Sequence, residues 1–129
     1  MSEDAIQQVL QLNYQLLDAI SAADWKTYEK LCDPTLTCFE PEARGQLVEG
    51  MDFHRFYFEL GGVEGLHNTT ITSPHVRLLG EDVAVVCYVR LLQHQPGGNT
   101  KTGRYEETRV WVHTEDGWKH VHFHRSKNE

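Results

Sequence analysis

The sequence predicts an α+β fold in which one long helix packs on one face of a sheet. Three observations lead there. Apolar residues recur at helical spacing from Ile6 to Ile20, the pattern changes to strand period after the glycine-rich run Gly61–Gly65, and turn residues separate the candidate strands that follow. Helices first and a meander of strands afterwards is the α+β order.

Ser2 before Glu3 and Asp4 reads as a helix start, since serine caps free amides and acids favour the positive end of the helix dipole. Ile6, Val9, Leu10, Leu16, Leu17 and Ile20 form the apolar stripe of a helix running to about Ser21. Tyr14 extends that stripe, and Leu12, off its centre, implies contact on a second side. Trp25, Tyr28 and Leu31 share a face of a second helix, predicted from Asp24 to Leu31. Asp33-Pro34 ends it, because the residue before proline disfavours helix. Leu36 to Glu40 reads as a short strand and Pro41 to Gly50 as a loop. Met51 to Leu60 reads as a short aromatic helix, with Phe53, Phe56 and Tyr57 at i, i+3 and i+4. The predicted strands are His67 to Leu79, Asp82 to His94, Thr102 to His113 and Trp118 to Arg125, with Asp116-Gly117 as a hairpin signal.

The 129 residues fit one domain over 1–129, with no internal repeat or linker. A formal charge of −7 argues against a broad nucleic-acid or anionic-membrane surface but permits a local basic pocket. The three cysteines, Cys32, Cys38 and Cys87, are odd in number and lack CxxC spacing, which favours free thiols in a reducing, cytoplasmic compartment. The acidic N-terminus does not read as a signal peptide, and no apolar run approaches the length of a membrane span.

The strand from Asp82 to His94 is apolar on both parities. Val83, Val85, Cys87, Val89 and Leu91 lie on one side, and Ala84, Val86, Tyr88 and Leu92 on the other, with Arg90 among them. A strand with one solvated face should alternate apolar and polar. Either a second subunit covers the second face, or a second internal layer does, such as the aromatic helix.

Arg90 shares parity with Val86 and Tyr88, Arg109 with Glu107 and Trp111, and Arg125 with Val121 and Phe123. An inward guanidinium is costly unless paired. Carboxylates such as Glu106 or Glu107 satisfy these arginines, or they line a cavity that takes an anion. His120, His122 and His124 should point to one side of their strand, about 7 Å apart. With no acid or cysteine at a companion spacing, they read as a polar or interfacial face rather than a metal site. Asp52, His54 and Tyr57 fall within one helix, but no nucleophile motif, phosphate loop or HExxH accompanies them, so no catalytic residue and no cofactor is assigned.

Cys32-Asp33-Pro34, Phe39-Glu40-Pro41-Glu42-Ala43, Leu47-Val48-Glu49-Gly50, the run Asp52 to Glu59, Glu106 to Trp111 and Val121 to Ser126 resemble, in order, the association (hub) domain of calcium/calmodulin-dependent protein kinase II. The resemblance implies a cone-like curved antiparallel sheet around a long N-terminal helix, similar to nuclear transport factor 2 (a cystatin-like arrangement). It implies dimers closing into two stacked rings, a scaffold for kinase domains or regulatory segments, and no catalysis by the hub itself. It further implies a pocket for small carboxylates, matched here by His54, Arg90, Arg109 and Arg125. Departures are the loop Leu60 to His67, which looks shorter and lacks a tryptophan, Arg44 in place of a leucine, and many positions of the first helix. The competing readings on the same cone are a small-molecule enzyme, which needs an acidic base deep in the cone beside a Tyr or Asp donor, and a dimeric transport adaptor.

Overall fold

The computed structural model describes residues 2–63 and 65–128. Helix α1 spans Ser2–Ala22 and α2 spans Trp25–Leu31. Ser2 lies inside the first turn and its side chain falls outside what is described. The cap of α2 is Asp24, whose carboxylate accepts from the Thr27 amide at 3.2 Å. Strand β1, Cys32–Phe39, begins four residues earlier than expected, because Cys32 already pairs with the last strand. The predicted loop that follows holds a short 3-10 turn at Pro41–Ala43 and an edge strand β2, Val48–Glu49, paired with Thr37 and Cys38. Helix α3 is Asp52–Glu59. Strands β3 (His67–Leu78), β4 (Val83–His94), β5 (Lys101–Thr114) and β6 (Gly117–Asn128) complete the chain. No helix among the described residues is long and apolar enough to cross a membrane.

The strands form one sheet in the order β2-β1-β6-β5-β4-β3. Every neighbouring pair is antiparallel except β1 and β6, which run parallel. The register slips in three places: between Cys32 and Thr37, between Thr72 and His75, and between Val110 and Trp111. Such irregularities bend a sheet and increase its twist, which lets this one curl around α1. The β5–β6 turn closes with Gly117 at φ +99°, so Glu115-Asp116 form its tip and the glycine supplies the left-handed position.

One slip alters the expected histidine face. Val110 pairs with His122 and Trp111 with His120, leaving Val121 unpaired as a bulge. Parity is lost across Val121, so His120 turns inward and is fully buried beside Trp111 and Phe123. His122 instead binds the Thr37 hydroxyl at 2.8 Å and packs with Phe39, as His124 does. The three histidines therefore do not share one side of β6.

The core lies between α1 and the concave side of the sheet. Val9, Leu16, Leu17, Val86 and Trp111 are fully buried there. Asn13 on α1 accepts from the Trp111 indole and donates to the Tyr88 hydroxyl, both at 3.0 Å, locking helix to sheet. On β4, Ala84, Val86, Tyr88, Arg90 and Leu92 are buried, whereas Val83, Val85, Val89 and Leu91 are half-buried and Cys87 is exposed. The aromatic helix does not supply a layer over that outer row. Its Phe58 packs instead on Trp25 and Tyr28 of α2.

The chain between α3 and β3 is tied to the end of α1 through Val63, whose amide donates to the Ser21 carbonyl at 2.8 Å. A Cβ on Gly62 would stand 2.3 Å from that same carbonyl oxygen. Backbone cannot yield as a side-chain tip can, so Gly62→Ala should cost about 1–3 kcal/mol, the usual cost of overpacking. Urea unfolding at one fixed protein concentration measures this as a lowered midpoint.

Candidate functional site: an arginine-lined cavity

Inward parity on β4, β5 and β6 delivers three arginines to the open end of the cone, where a cavity of about 230 Å³ forms. Arg90, Arg109, Arg125 and His54 all line it, so the four side chains singled out in the sequence converge. Ser21 and Ile20 from the end of α1, Tyr57 and Phe58 from α3, and Val63 from the tied loop form the rest of its mouth together with Glu40, Glu42 and Tyr105. His54 and Tyr57 of α3 both line the cavity, Tyr57 at the rim at 39% exposed and His54 deeper at 5%.

The arginines are not equivalent. Arg109 is 1% exposed, and its Nε donates to Tyr88 Oη at 3.0 Å while its Nη2 donates to Glu107 Oε1 at 3.1 Å. Its guanidinium also stacks over Phe123, 4.5 Å from the ring centre. Burial opposes its charge, but Glu107 beside it outweighs that and holds its pKa above the ordinary value. Arg90 donates to the Ser21 hydroxyl at 3.0 Å and lies 3.9 Å from Glu107 Oε2. Among the described residues, Arg90 Nε and Glu107 Oε2 are buried without a hydrogen bond. Arg125 contacts Glu40 at 3.4 Å and Glu42 at 2.5 Å, and stands over the Tyr105 ring.

Of the two carboxylates the sequence offered, Glu107 is the partner. Glu106 lies on the outer side and pairs with exposed Arg104. Burial pushes the Glu107 carboxyl up, but Arg109 and Arg90 pull harder, and its pKa ends below the ordinary value. The Tyr88 hydroxyl donates to it as well. Sequence parity could have found Tyr88 as well, two residues from Arg90. It could not have found Glu40 and Glu42, which reach the cavity from the irregular segment after β1.

His54 is neutral. Burial first, then the charges of Arg109 and Arg125, lower its pKa to about 4. The contact of Nδ1 with Glu40 Oε1 at 3.5 Å therefore involves a neutral ring rather than a cation, and Nε2 faces the Cys38 thiol at 3.7 Å. His120 is also neutral, lowered by burial and then by Arg109. Its Nε2 accepts from Arg109 at 3.3 Å and its Nδ1 faces Cys32 Sγ at 3.5 Å. Burial likewise lifts the Cys32 and Cys38 thiols to about 12.

The family is decided by the match to the calcium/calmodulin-dependent protein kinase II association domain, which covers residues 5–129. The chain belongs to that association-domain family. It is 54% identical over 123 residues to the delta subunit of the type II kinase of Oryctolagus cuniculus, covering 93% of this chain and 23% of the relative. The chain thus spans about a quarter of that relative's length. The hub homology domain of the Chlamydomonas reinhardtii kinase superposes with a TM-score of 0.91 at 47% identity, covering 97% of this chain and 99% of that one. A nuclear transport factor 2-like protein of Salmonella enterica, at 20% identity and TM-score 0.81 over 100% of this chain and 94% of that one, shows that the fold is the shared cone. The matched family is an association domain, which gives the chain an oligomerisation role.

The two neutral histidines set a pH dependence. Both have folded pKa values below the ordinary 6.5, so the unfolded chain takes up protons that the folded site refuses. Stability from these groups is present above pH 6.5 and is lost as pH falls. The slope should reach about 1.4 kcal/mol per pH unit for each histidine. Glu40, raised by burial and Glu42 despite Arg125, works in the opposite direction at the acidic end. Urea midpoints followed from pH 7.5 to 4.5 should fall steadily, and His54→Gln should flatten the slope by about one proton.

Proposed function

We propose that residues 1–129 act as a single self-association domain whose copies pair and close into a double ring, organising tethered kinase domains or other partners in the cytoplasm. The observation that carries this reading is the outer row of β4. Val83, Val85, Val89 and Leu91 remain half-buried in one chain, and no helix among the described residues packs over them. Phe39, 38% exposed, extends that side across β1. A second copy supplies the missing layer, and repeated identical contacts close into a ring when the angle between them allows it. Nothing in the proposal calls for nucleic acid or a membrane.

The cavity is proposed to bind small carboxylates, or the acidic or tyrosine side chain of a peptide. Arg90 supports this most directly, since its Nε is buried without a hydrogen bond at the cavity wall. Arg125 adds a second guanidinium, exchanging Glu42 for the incoming anion. The enzyme alternative needs a deep base beside a donor. Glu107 with Tyr88 has those residue types, but two arginines hold the carboxylate ionised below its usual range, and neither residue lines the cavity. A base so stabilised is a weak proton acceptor.

Native mass spectrometry at micromolar concentration should show a large closed oligomer. A homogeneous monomer, or a single dimer as in a transport adaptor, refutes the ring, whereas mixed ring sizes agree with it. Calorimetric titration with small carboxylic acids should give affinities of about micromolar to millimolar. Arg125→Gln should weaken binding at least about tenfold, the loss of one charge-assisted hydrogen bond, with the oligomer intact. Arg109→Ala is a poorer probe, because it strands Glu107 in the core. Absence of heat up to tens of millimolar, about the limit of such weak affinities, would mean that the arginines only pair internally.

A further inference from the structure

Behind the cavity wall, three side chains of different chemistry meet. Cys38 on β1, Glu40 just beyond that strand and His54 on α3 each offer one ligand atom, and these atoms lie within 4.8 Å of one another. We propose that Cys38, Glu40 and His54 form a binding site for a zinc-class divalent cation, with the cavity supplying the fourth position. The site shares His54 and the cavity with the carboxylate proposal, but neither requires the other, and it does not depend on how the chains assemble.

The donor set suits such an ion. Thiolate, imidazole and carboxylate are the ligands zinc takes, and three protein ligands with one open position is the pattern of a reactive rather than a sealed structural site. The geometry is close to what one ion demands. Bond lengths near 2.3 Å to sulfur and 2.0–2.1 Å to nitrogen in a tetrahedron put the two donors about 3.5 Å apart. Cys38 Sγ and His54 Nε2 are already 3.7 Å apart. Glu40 contacts the other ring nitrogen, Nδ1, at 3.5 Å, so its flexible carboxylate must swing toward Nε2 to complete the set, a short movement because the three ligand atoms lie within 4.8 Å of one another.

Charge is the first objection, because Arg109 and Arg125 stand nearby. The balance answers it. Arg109 is matched by Glu107, and Arg125 has Glu42 as its closer partner, so Glu40 can leave its longer contact with Arg125, at 3.4 Å, to take a cation. A thiolate and a carboxylate then neutralise a divalent ion within its own ligand shell. The imidazole is neutral already, so it needs no proton displaced to act as a ligand. The thiol must lose its proton, which a coordinated cation drives. Access is open, since Glu40 and His54 both line the cavity while Cys38 closes the site from behind with no exposed surface.

The test uses cobalt(II) as a spectroscopic probe on the assembled, reduced protein, followed by zinc. Cobalt should produce a thiolate charge-transfer band that saturates at one ion per chain, and zinc should abolish it. Cys38→Ala should lose the band and at least about 100-fold in affinity, since even an outer partner of a metal ligand can be worth that much. Glu40→Gln should weaken binding at least about tenfold and keep the band. Cys87→Ala, which removes the exposed thiol, should change neither. Melting curves of each variant without metal show whether the fold is kept. Absence of a band in the parent, its persistence in Cys38→Ala, or its loss in Cys87→Ala overturns the site. If Cys38→Ala does not fold, Glu40→Gln decides, and unchanged affinity there overturns it equally.

Discussion

The buried carboxylate of Glu107 is the constraint on which the cone depends. It stands on β5 facing the inward sides of β4 and β5, and it is the negative charge that Arg90 and Arg109 share. Without it, two guanidiniums would sit in an apolar interior with no counter-charge, a state that costs several kcal/mol. The Tyr88 hydroxyl extends the arrangement by donating to Glu107 while accepting from Asn13. Asn13 in turn holds the Trp111 indole. One hydrogen-bonded path therefore joins the long helix, the middle of the sheet and the floor of the cavity. Such a network is stabilising only when its members are satisfied, and among the described residues two of its atoms are left without a hydrogen bond, Arg90 Nε at the cavity wall and Glu107 Oε2 behind it.

The same path explains why the cavity is polar inside an apolar fold. Burial disfavours every charge there, and each is retained by a specific neighbour: Glu107 for Arg109, Glu42 and Glu40 for Arg125. For the histidines, burial and the arginines outweigh what support there is, such as Glu42 for His54. His54 and His120 face arginines, so they remain neutral and serve as hydrogen-bond partners rather than cations. The division of labour follows from position, not residue type. His122, on the outer side of the bulge, is lowered only by partial burial and the nearby His124.

Much of this was legible in the sequence because it rests on periodicity. The stripe of α1, the four long strands and the inward parity of Arg90 and Arg109 follow from spacings of 3.6 and 2. What escaped was non-periodic. The bulge at Val121 breaks parity inside β6, and no residue there announces it, since valine is an ordinary strand former. Counting by twos therefore put His120 outside with its neighbours and tied Arg125 to Val121. The edge strand at Val48–Glu49 was hidden by the prolines and glycines around it, and only its pairing with β1 makes it a strand. Glu40 and Glu42 reach the cavity through the Pro41 turn, a tertiary arrangement that local pattern does not encode.

Strand β4 gives the clearest link between architecture and role. Its even-numbered residues from Ala84 to Leu92 build the core and the cavity wall, and its odd-numbered residues from Val83 to Leu91 form the uncovered outer row. A pleated strand assigns neighbours to opposite faces without exception unless a bulge intervenes, and β4 is unbroken against β5 over twelve consecutive pairs from Val83 to His94. The proposed association face and the cavity thereby lie on opposite sides of one backbone. Substitution on either side can proceed without disturbing the other, because the contacts are separated by the sheet itself. The slip between Thr72 and His75 puts the extra residue in β3, so the edge strand bends and twists more while β4 stays regular. A regular strand one place in from a bulged edge strand thus keeps its two faces distinct along its whole length within a curved sheet.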